Sequence, residues 1–135
     1  MANASPKRVL IVDDEMDMRI FMKTLFETSG WQPVVTRDGA QGLAEARREP
    51  PDLIVLDVMM PGEGGALMYR GLKSDPRLAG IPVIMLSAVK PDVFHHYLKM
   101  LSARSETPIP APDAYMEKPP EIDALLELAN RLVAP

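Results

Sequence analysis

The chain has 135 residues, and its 15 lysines and arginines against 19 aspartates and glutamates give a formal net charge of −4. This length fits one domain with one core, and the absence of cysteine excludes disulfides and thiolate metal sites. The acidic charge argues against direct nucleic-acid binding, and no apolar run approaches the ~20 residues of a membrane span. Because residues 1–6 also have no apolar signal core, we expect a cytoplasmic protein without membrane contact.

Short runs of Val, Ile and Leu alternate along the chain with longer stretches in which apolar residues have helical spacing. The runs are mostly unbroken by polar residues, which is typical of parallel strands covered on both faces. They lie at residues 8–12, 33–35, 53–56, 83–86 and 114–116. The helical stretches lie at residues 18–26, 40–47, 67–72, 93–101 and 122–132. This alternation predicts an α/β fold of three layers, with a five-stranded parallel sheet between five helices.

Glycines and prolines mark the predicted boundaries between these elements. Gly30 is predicted to end the first helix, and Pro120 to begin the last one. We expect residues 1–6 to form a flexible tail and residues 7–133 to form a single domain, with no output domain after the last helix. Residues 102–112 are rich in proline and are predicted to form an extended loop.

Carboxylates follow two of the predicted strands directly. Asp13, Asp14 and Glu15 come after the first strand, and Asp57 ends the third. In an open α/β sheet the carboxyl ends of the strands form the binding edge, so these side chains are expected to converge. Close carboxylates repel one another, and a hard cation with oxygen ligands, such as Mg²⁺, would relieve the repulsion.

A hydroxyl and an ammonium group follow the other two strands near this edge. Ser87 ends the fourth strand and Lys118 follows the fifth. A carboxylate beside Mg²⁺, with a lysine and a hydroxyl nearby, is typical of phosphoryl transfer. Each residue also has an ordinary interpretation: Asp14 and Ser87 as helix caps, Asp57 as a turn residue, and Lys118 as a solvated charge. The functional interpretation is favoured because a chemically suitable side chain ends or follows each of four strands.

Four ordered motifs carry a resemblance to a known family. They are VLIVDDE at residues 9–15, LDVMMPG at 56–62, PVIMLSA at 82–88 and YMEKP at 115–119, with RDGA at 37–40 as a weaker fifth. The chain resembles, from about residue 7 to residue 132, the receiver domain of two-component response regulators, as in chemotaxis receivers. The resemblance implies a flavodoxin-like, doubly wound sheet with strand order 2-1-3-4-5.

The resemblance also implies a metal site. Asp13 and Asp14 match the acids that hold Mg²⁺, with Asp14 nearer to the metal, and Asp57 is a further ligand. The backbone carbonyl of Met59 would complete the protein ligands. Mg²⁺ is the only cofactor that the family implies.

The remaining motif residues match the groups that receive and sense a phosphoryl group. Asp57 would be the phosphoacceptor, Lys118 would pair with the phosphoryl oxygens, and Ser87 would hydrogen-bond to them. Ser87 and Tyr115 match the switch residues, which would move inward on phosphorylation.

The resemblance implies a phosphorelay protein rather than an enzyme with turnover beyond self-phosphotransfer and self-dephosphorylation. Its partners would be a sensor histidine kinase or phosphotransfer protein, and a downstream protein bound by the fourth helix, fifth strand and fifth helix. Two alternatives remain: an interaction module that works without phosphorylation, and a Mg²⁺-dependent aspartyl phosphohydrolase. The loop at 102–112 is longer than in most of the family, and it either sets partner choice, covers the switch face, or is a tolerated surface insertion.

Overall fold

The computed structural model describes residues 5–58, 60, 64–106 and 108–134. Strands and helices alternate throughout, as the hydrophobic pattern predicts. In chain order the elements are β1 (Arg8–Val12), α1 (Met16–Thr28), β2 (Gln32–Thr36), α2 (Gly39–Arg48), β3 (Leu53–Asp57), α3 (Gly64–Ser74), β4 (Val83–Ser87), α4 (Pro91–Ala103), β5 (Ala114–Glu117) and α5 (Ile122–Leu132).

The five strands form one parallel sheet in the order β2-β1-β3-β4-β5. β1 pairs with β2 and β3, so the chain changes direction across the sheet beside β1. β3 and β4 are buried along their whole length, which explains why their sequences are almost purely apolar. The predicted strand order and the flavodoxin-like fold are confirmed.

Helices cover both faces of the sheet, and each face has its own apolar cluster. One cluster joins the sheet to α1 and α5 through Met22, Phe26, Leu125 and Ala129. The other joins it to α2, α3 and α4, with Ala46, Met68, Tyr69, Leu72, Phe94 and Leu98 among its members. The sheet is therefore the central layer of three, and the helices pack on its faces rather than over the ends of its strands.

The structure corrects two predicted boundaries and confirms a third. Gly30 has φ of 87° just after α1, in the left-handed region that favours glycine, so it ends this helix as predicted. Pro120 does not begin the last helix, because Glu121 is the N-cap and its carboxylate accepts hydrogen bonds from the backbone N–H groups of Asp123 and Ala124. α4 continues to Ala103, so the loop before β5 starts at Arg104 rather than at residue 102.

The loop before β5 lies at the end of the sheet opposite to Asp57. The Asp113 carboxylate accepts a hydrogen bond of 2.8 Å from the backbone N–H of Val83, the first residue of β4. Asp57 is the last residue of the parallel strand β3. Ile109 and Ala111 of this loop line a pocket together with His95 and Leu98 of α4. The expectation that the loop sets partner choice or covers the switch face stays a prediction. No helix within the described ranges is long and apolar enough to cross a bilayer.

Candidate functional site

The carboxyl ends of β1, β3, β4 and β5 bring the predicted site residues to one edge of the sheet. Because the strands are parallel, the residues that end or follow them all point to the same side of the molecule. Asp57 ends β3, Ser87 ends the neighbouring β4, and Lys118 directly follows β5. Asp13 directly follows β1, which is the other neighbour of β3.

Four carboxylates cluster at this edge. Single side-chain oxygens of Asp13, Asp14, Glu15 and Asp57 all lie within 4.8 Å of one another. Asp13 and Asp57 are buried, at 2% and 5% exposure, whereas Asp14 and Glu15 are exposed. Glu15 is the N-cap residue of α1, and its side chain makes no capping hydrogen bond. Asp14 precedes the cap position, so it is not the helix cap that the sequence left open as an alternative.

Lys118 lies among these carboxylates. Its Nζ is 2.8 Å from Asp13 Oδ2, 3.1 Å from Asp57 Oδ2 and 3.2 Å from Glu15 Oε1. Burial opposes the charge of Lys118, but its hydrogen bond to Asp13 and the charges of Asp57 and Asp13 outweigh burial and raise its pKa above the usual value. Lys118 is therefore a fixed cation at the centre of the site and not a solvated surface charge.

One lysine does not balance four carboxylates, so the site retains an excess of negative charge. Arg19 also approaches, but its guanidinium donates to the backbone carbonyl of Asp13 at 2.8 Å and not to a carboxylate. The donor set consists of carboxylate oxygens, which suit a hard divalent cation such as Mg²⁺. The residues present therefore fit the metal that the family implies, with the exposed Asp14 on its open side.

Ser87 and Tyr115 lie on the other side of Asp57 from β1. Ser87 is fully buried, its hydroxyl accepts a hydrogen bond from the backbone N–H of Val89, and its carbonyl accepts one from the backbone N–H of Lys118. The Tyr115 ring stacks on Phe94 with centroids 4.3 Å apart, and its hydroxyl donates to the Val89 carbonyl. Burial, with the charges of Glu117 and Asp57, raises the pKa of Tyr115, although the Ser87 hydroxyl acts in the opposite direction.

The family model for the response regulator receiver domain matches residues 9–105 of the chain. This match covers well over half of the sequence and includes both acidic motifs and Ser87. The chain belongs to the response regulator receiver family.

Individual receivers support this assignment. The polar-differentiation response regulator DivK of Brucella anthropi is 42% identical over 84 residues, which cover 62% of this chain and 68% of that protein. Protein PilH of Pseudomonas aeruginosa is 31% identical over 127 residues, or 94% of this chain and 98% of PilH. The receiver domain of a sensor histidine kinase from P. aeruginosa, solved with magnesium in its active site cleft, shares the fold at a TM-score of 0.82. Its identity is 18%, and the comparison covers 96% of this chain and 99% of that one.

The structure of this receiver brings together Asp13, Asp14, Asp57 and Lys118 from the predicted set and places Ser87 beside them. The expected carbonyl ligand, Met59, lies outside the described residues. Glu15 contacts Lys118 and belongs to the acidic cluster, although the predicted metal set left it out. The run of three consecutive acids after β1 was the signal that could have included it.

Proposed function

We propose that this receiver accepts a phosphoryl group on Asp57 from a phosphohistidine of a sensor kinase or phosphotransfer protein. The observation that carries the proposal is the position of Lys118, whose Nζ joins Asp57 to Asp13 across the sheet edge. A cation held 3.1 Å from Asp57 Oδ2 is well placed to offset negative charge on a phosphoryl group arriving at that carboxylate. The cytoplasmic location expected from the sequence stays a prediction.

The proposed step is a phosphoryl exchange between two nucleophiles. A carboxylate oxygen of Asp57 attacks phosphorus, the phosphorus–nitrogen bond of the phosphohistidine breaks, and an acyl phosphate forms. The histidine nitrogen keeps the electron pair of the broken bond. Lys118 would exchange part of its contact with Asp57 for the phosphoryl oxygens, and the nearby Ser87 hydroxyl would donate to one of them.

Asp13, Asp14 and Asp57 would hold Mg²⁺ in this reaction. When bound, the ion would offset the charge of the phosphoryl oxygens, as hard cations do in phosphoryl transfer. Burial of Asp13 and Asp57 keeps those two carboxylates in place, whereas Asp14 is free to adjust to the ion. Magnesium in the cleft of the structurally similar kinase receiver is consistent with this assignment.

The position of the Tyr115 side chain would depend on whether Asp57 is phosphorylated, and this would link the site to the surface of the molecule. The sequence-based expectation has this side chain moving inward on phosphorylation, but in the structure it already stacks on Phe94 and bonds to Val89. We therefore propose that phosphorylation stabilises the inward position of Tyr115 and does not create it. Ser87 would couple phosphorylation of Asp57 to the position of Tyr115. Its hydroxyl already accepts a hydrogen bond from the backbone N–H of Val89, and the carbonyl of Val89 accepts one from the Tyr115 hydroxyl.

The output surface would be the face formed by α4, β5 and α5, referred to below as the α4-β5-α5 face. Exposed apolar side chains lie on both of its helices: Val93 and Met100 on α4, and Ile122 on α5. Such side chains favour a protein partner, and the net charge of −4 disfavours nucleic acid. Like receivers in general, the chain would act as a signalling module and not as an enzyme with turnover.

Beryllofluoride, which mimics a phosphoryl group on a carboxylate, tests this proposal. With Mg²⁺, it should form a stable adduct with the wild-type chain and shift the amide NMR signals of Ser87, Val89 and Lys118. Asp14→Asn should weaken adduct formation at least tenfold by removing a metal ligand. The matched control is Asp52→Asn, which changes an exposed carboxylate at the other end of β3 and should leave the adduct intact.

The outcomes separate the proposal from its rivals. No adduct with Mg²⁺ present would overturn it in favour of an interaction module that works without phosphorylation. Steady hydrolysis of a phosphate monoester by the wild-type chain would instead favour the phosphohydrolase. Equal loss of adduct in Asp14→Asn and Asp52→Asn would contradict the assigned metal site.

A further inference from the structure

A cleft lies at the end of the molecule opposite to Asp57, between α3 and the loop that precedes β5. Its volume is about 980 Å³, at the upper end of the range of small-molecule sites. Arg70, Lys73 and Ser74 of α3 line one side. The other side is formed by residues 104–106 and 108–110, which follow α4.

Hydrogen bonds hold the loop that forms the outer wall. The buried Tyr69 of α3 donates its hydroxyl to the Pro110 carbonyl at 2.8 Å. The backbone N–H of Ile109 donates to the Ser102 hydroxyl at 3.0 Å, and Asp113 is tied to the start of β4. Ile109 also packs against the apolar cluster beneath α3 and α4. The wall is therefore anchored at several points and is a formed part of the fold.

The charge of this cleft is opposite in sign to that of the whole chain. Arg70, Lys73 and Arg104 line it, and Glu106 is the only carboxylate among its described lining residues. Lys73 is held in place, because its Nζ donates to the Ala79 carbonyl at 3.1 Å and lies 5.5 Å from the centre of the Tyr69 ring. In a chain of net charge −4, this concentration of cations favours an anionic ligand.

Arg70 and Arg104 are exposed, and neither makes an ion pair with any residue that the structure describes. Their guanidinium groups remain available for a ligand from outside, and guanidinium groups suit phosphate oxygens because they can donate two parallel hydrogen bonds. Ser74 adds a hydroxyl donor to the same lining, whereas the Ser105 hydroxyl already donates to the Leu101 carbonyl.

We propose that this cleft binds a nucleotide, with its phosphate groups on Arg70, Lys73 and Arg104 and its base against Pro108, Ile109 and Pro110. The juxtaposition of a cationic wall with a proline- and isoleucine-lined wall carries the inference, because a nucleotide has one strongly anionic end and one flat, weakly polar end. A simple anion would use only the first wall.

The cleft is distinct from the phosphoacceptor site in position and in sequence. The receiver family model ends at residue 105, whereas the outer wall continues to Pro110. The cleft contains none of Asp13, Asp57 or Lys118, so the inference does not rest on the proposed function.

Isothermal titration of the full chain with three probes tests the inference, in buffer with a chelator so that the acidic site holds no metal. We expect pyrophosphate to bind, ADP to bind more tightly, and adenosine alone to bind too weakly to measure. Arg70→Gln and Arg104→Gln should each weaken ADP binding by about tenfold or more. Glu106→Gln should tighten it severalfold by removing the opposing charge.

Arg131→Gln is the matched control, because Arg131 is an exposed arginine on α5 and does not line the cleft. It should bind ADP as the wild type does. Circular dichroism spectra and melting temperatures equal to those of the wild type would verify that Arg70→Gln and Arg104→Gln are folded, independently of the cleft and of the proposed function. The inference is overturned if ADP does not bind at millimolar concentration, or if Arg131→Gln loses as much affinity as Arg104→Gln. Equal affinities for ADP and pyrophosphate would show that the nucleoside part of the inference is wrong.

Discussion

At the scale of single residues, Lys118 determines how two buried carboxylates coexist at the sheet edge. Asp13 and Asp57 are at most 5% exposed, and both contact the same ammonium group. A buried ion pair adds little net stability compared with apolar residues, but removing one partner leaves the other charge uncompensated. Lys118 is therefore both a structural cation and, in the proposed function, a ligand for phosphoryl oxygens.

Lys118→Met should lower the free energy of unfolding by about 3 kcal/mol at neutral pH without Mg²⁺, because Asp13 and Asp57 lose their shared cation. Added Mg²⁺ should narrow the difference from wild type, because the ion compensates the same carboxylates. Urea denaturation with and without Mg²⁺ measures both effects. Lys23→Met, an exposed lysine of α1, is the control and should change stability little. If the two variants were equally stable, the role of Lys118 as a compensating charge would be wrong.

At the scale of elements, a close contact between α3 and β3 supports the backbone that carries Asp57. A Cβ at Gly65 would lie 2.5 Å from the carbonyl oxygen of Asp57 and 2.6 Å from the Cα of Val58. Only glycine lets the helix approach the strand end this closely. The position of α3 therefore depends on a residue with no side chain.

Gly65→Ala should destabilise the chain by roughly 1–3 kcal/mol, because the added methyl group must push α3 away from the end of β3. It should also slow phosphorylation of Asp57 by displacing its backbone. Gly80→Ala is the matched control: nothing lies within 4 Å of a Cβ there, so its melting temperature should stay at or slightly above that of wild type. A Gly65→Ala variant that melts and is phosphorylated like wild type would contradict this account of the contact.

At the scale of the whole molecule, the two ends of the sheet have different chemistry. The carboxyl edge gathers four carboxylates around Lys118, whereas the amino end carries the cleft lined by Arg70, Lys73 and Arg104. The sheet separates the two regions, so ligand binding at one end would affect the other end only through the packed strands and helices between them. Tyr69 of α3 lies in one buried cluster and also holds the loop at the cleft.

Much of this arrangement could be predicted from the sequence. Unbroken apolar runs predicted the parallel strands. Asp13, Asp57 and Lys118 end or follow such runs, and they were predicted to lie at one edge because the carboxyl ends of parallel strands share an edge of the sheet.

Other features depend on contacts that local patterns do not encode. Glu15 joins the site through a lysine more than a hundred residues away in the chain. The loop before β5 lies against α3 because of hydrogen bonds to Tyr69 and Val83, which its proline-rich composition does not reveal. The inward position of Tyr115 likewise depends on Phe94 and Val89, which lie on other elements.

The central claim is that Asp57 receives the phosphoryl group, and mass spectrometry after treatment with acetyl phosphate and Mg²⁺ tests it most directly. The wild-type chain and Asp52→Asn should each gain one phosphoryl group, mapped to the peptide that contains Asp57, and omission of Mg²⁺ should largely abolish the gain. Asp57→Asn should gain none. A phosphoryl group on Asp57→Asn, or none on the wild-type chain with Mg²⁺ present, would contradict the claim.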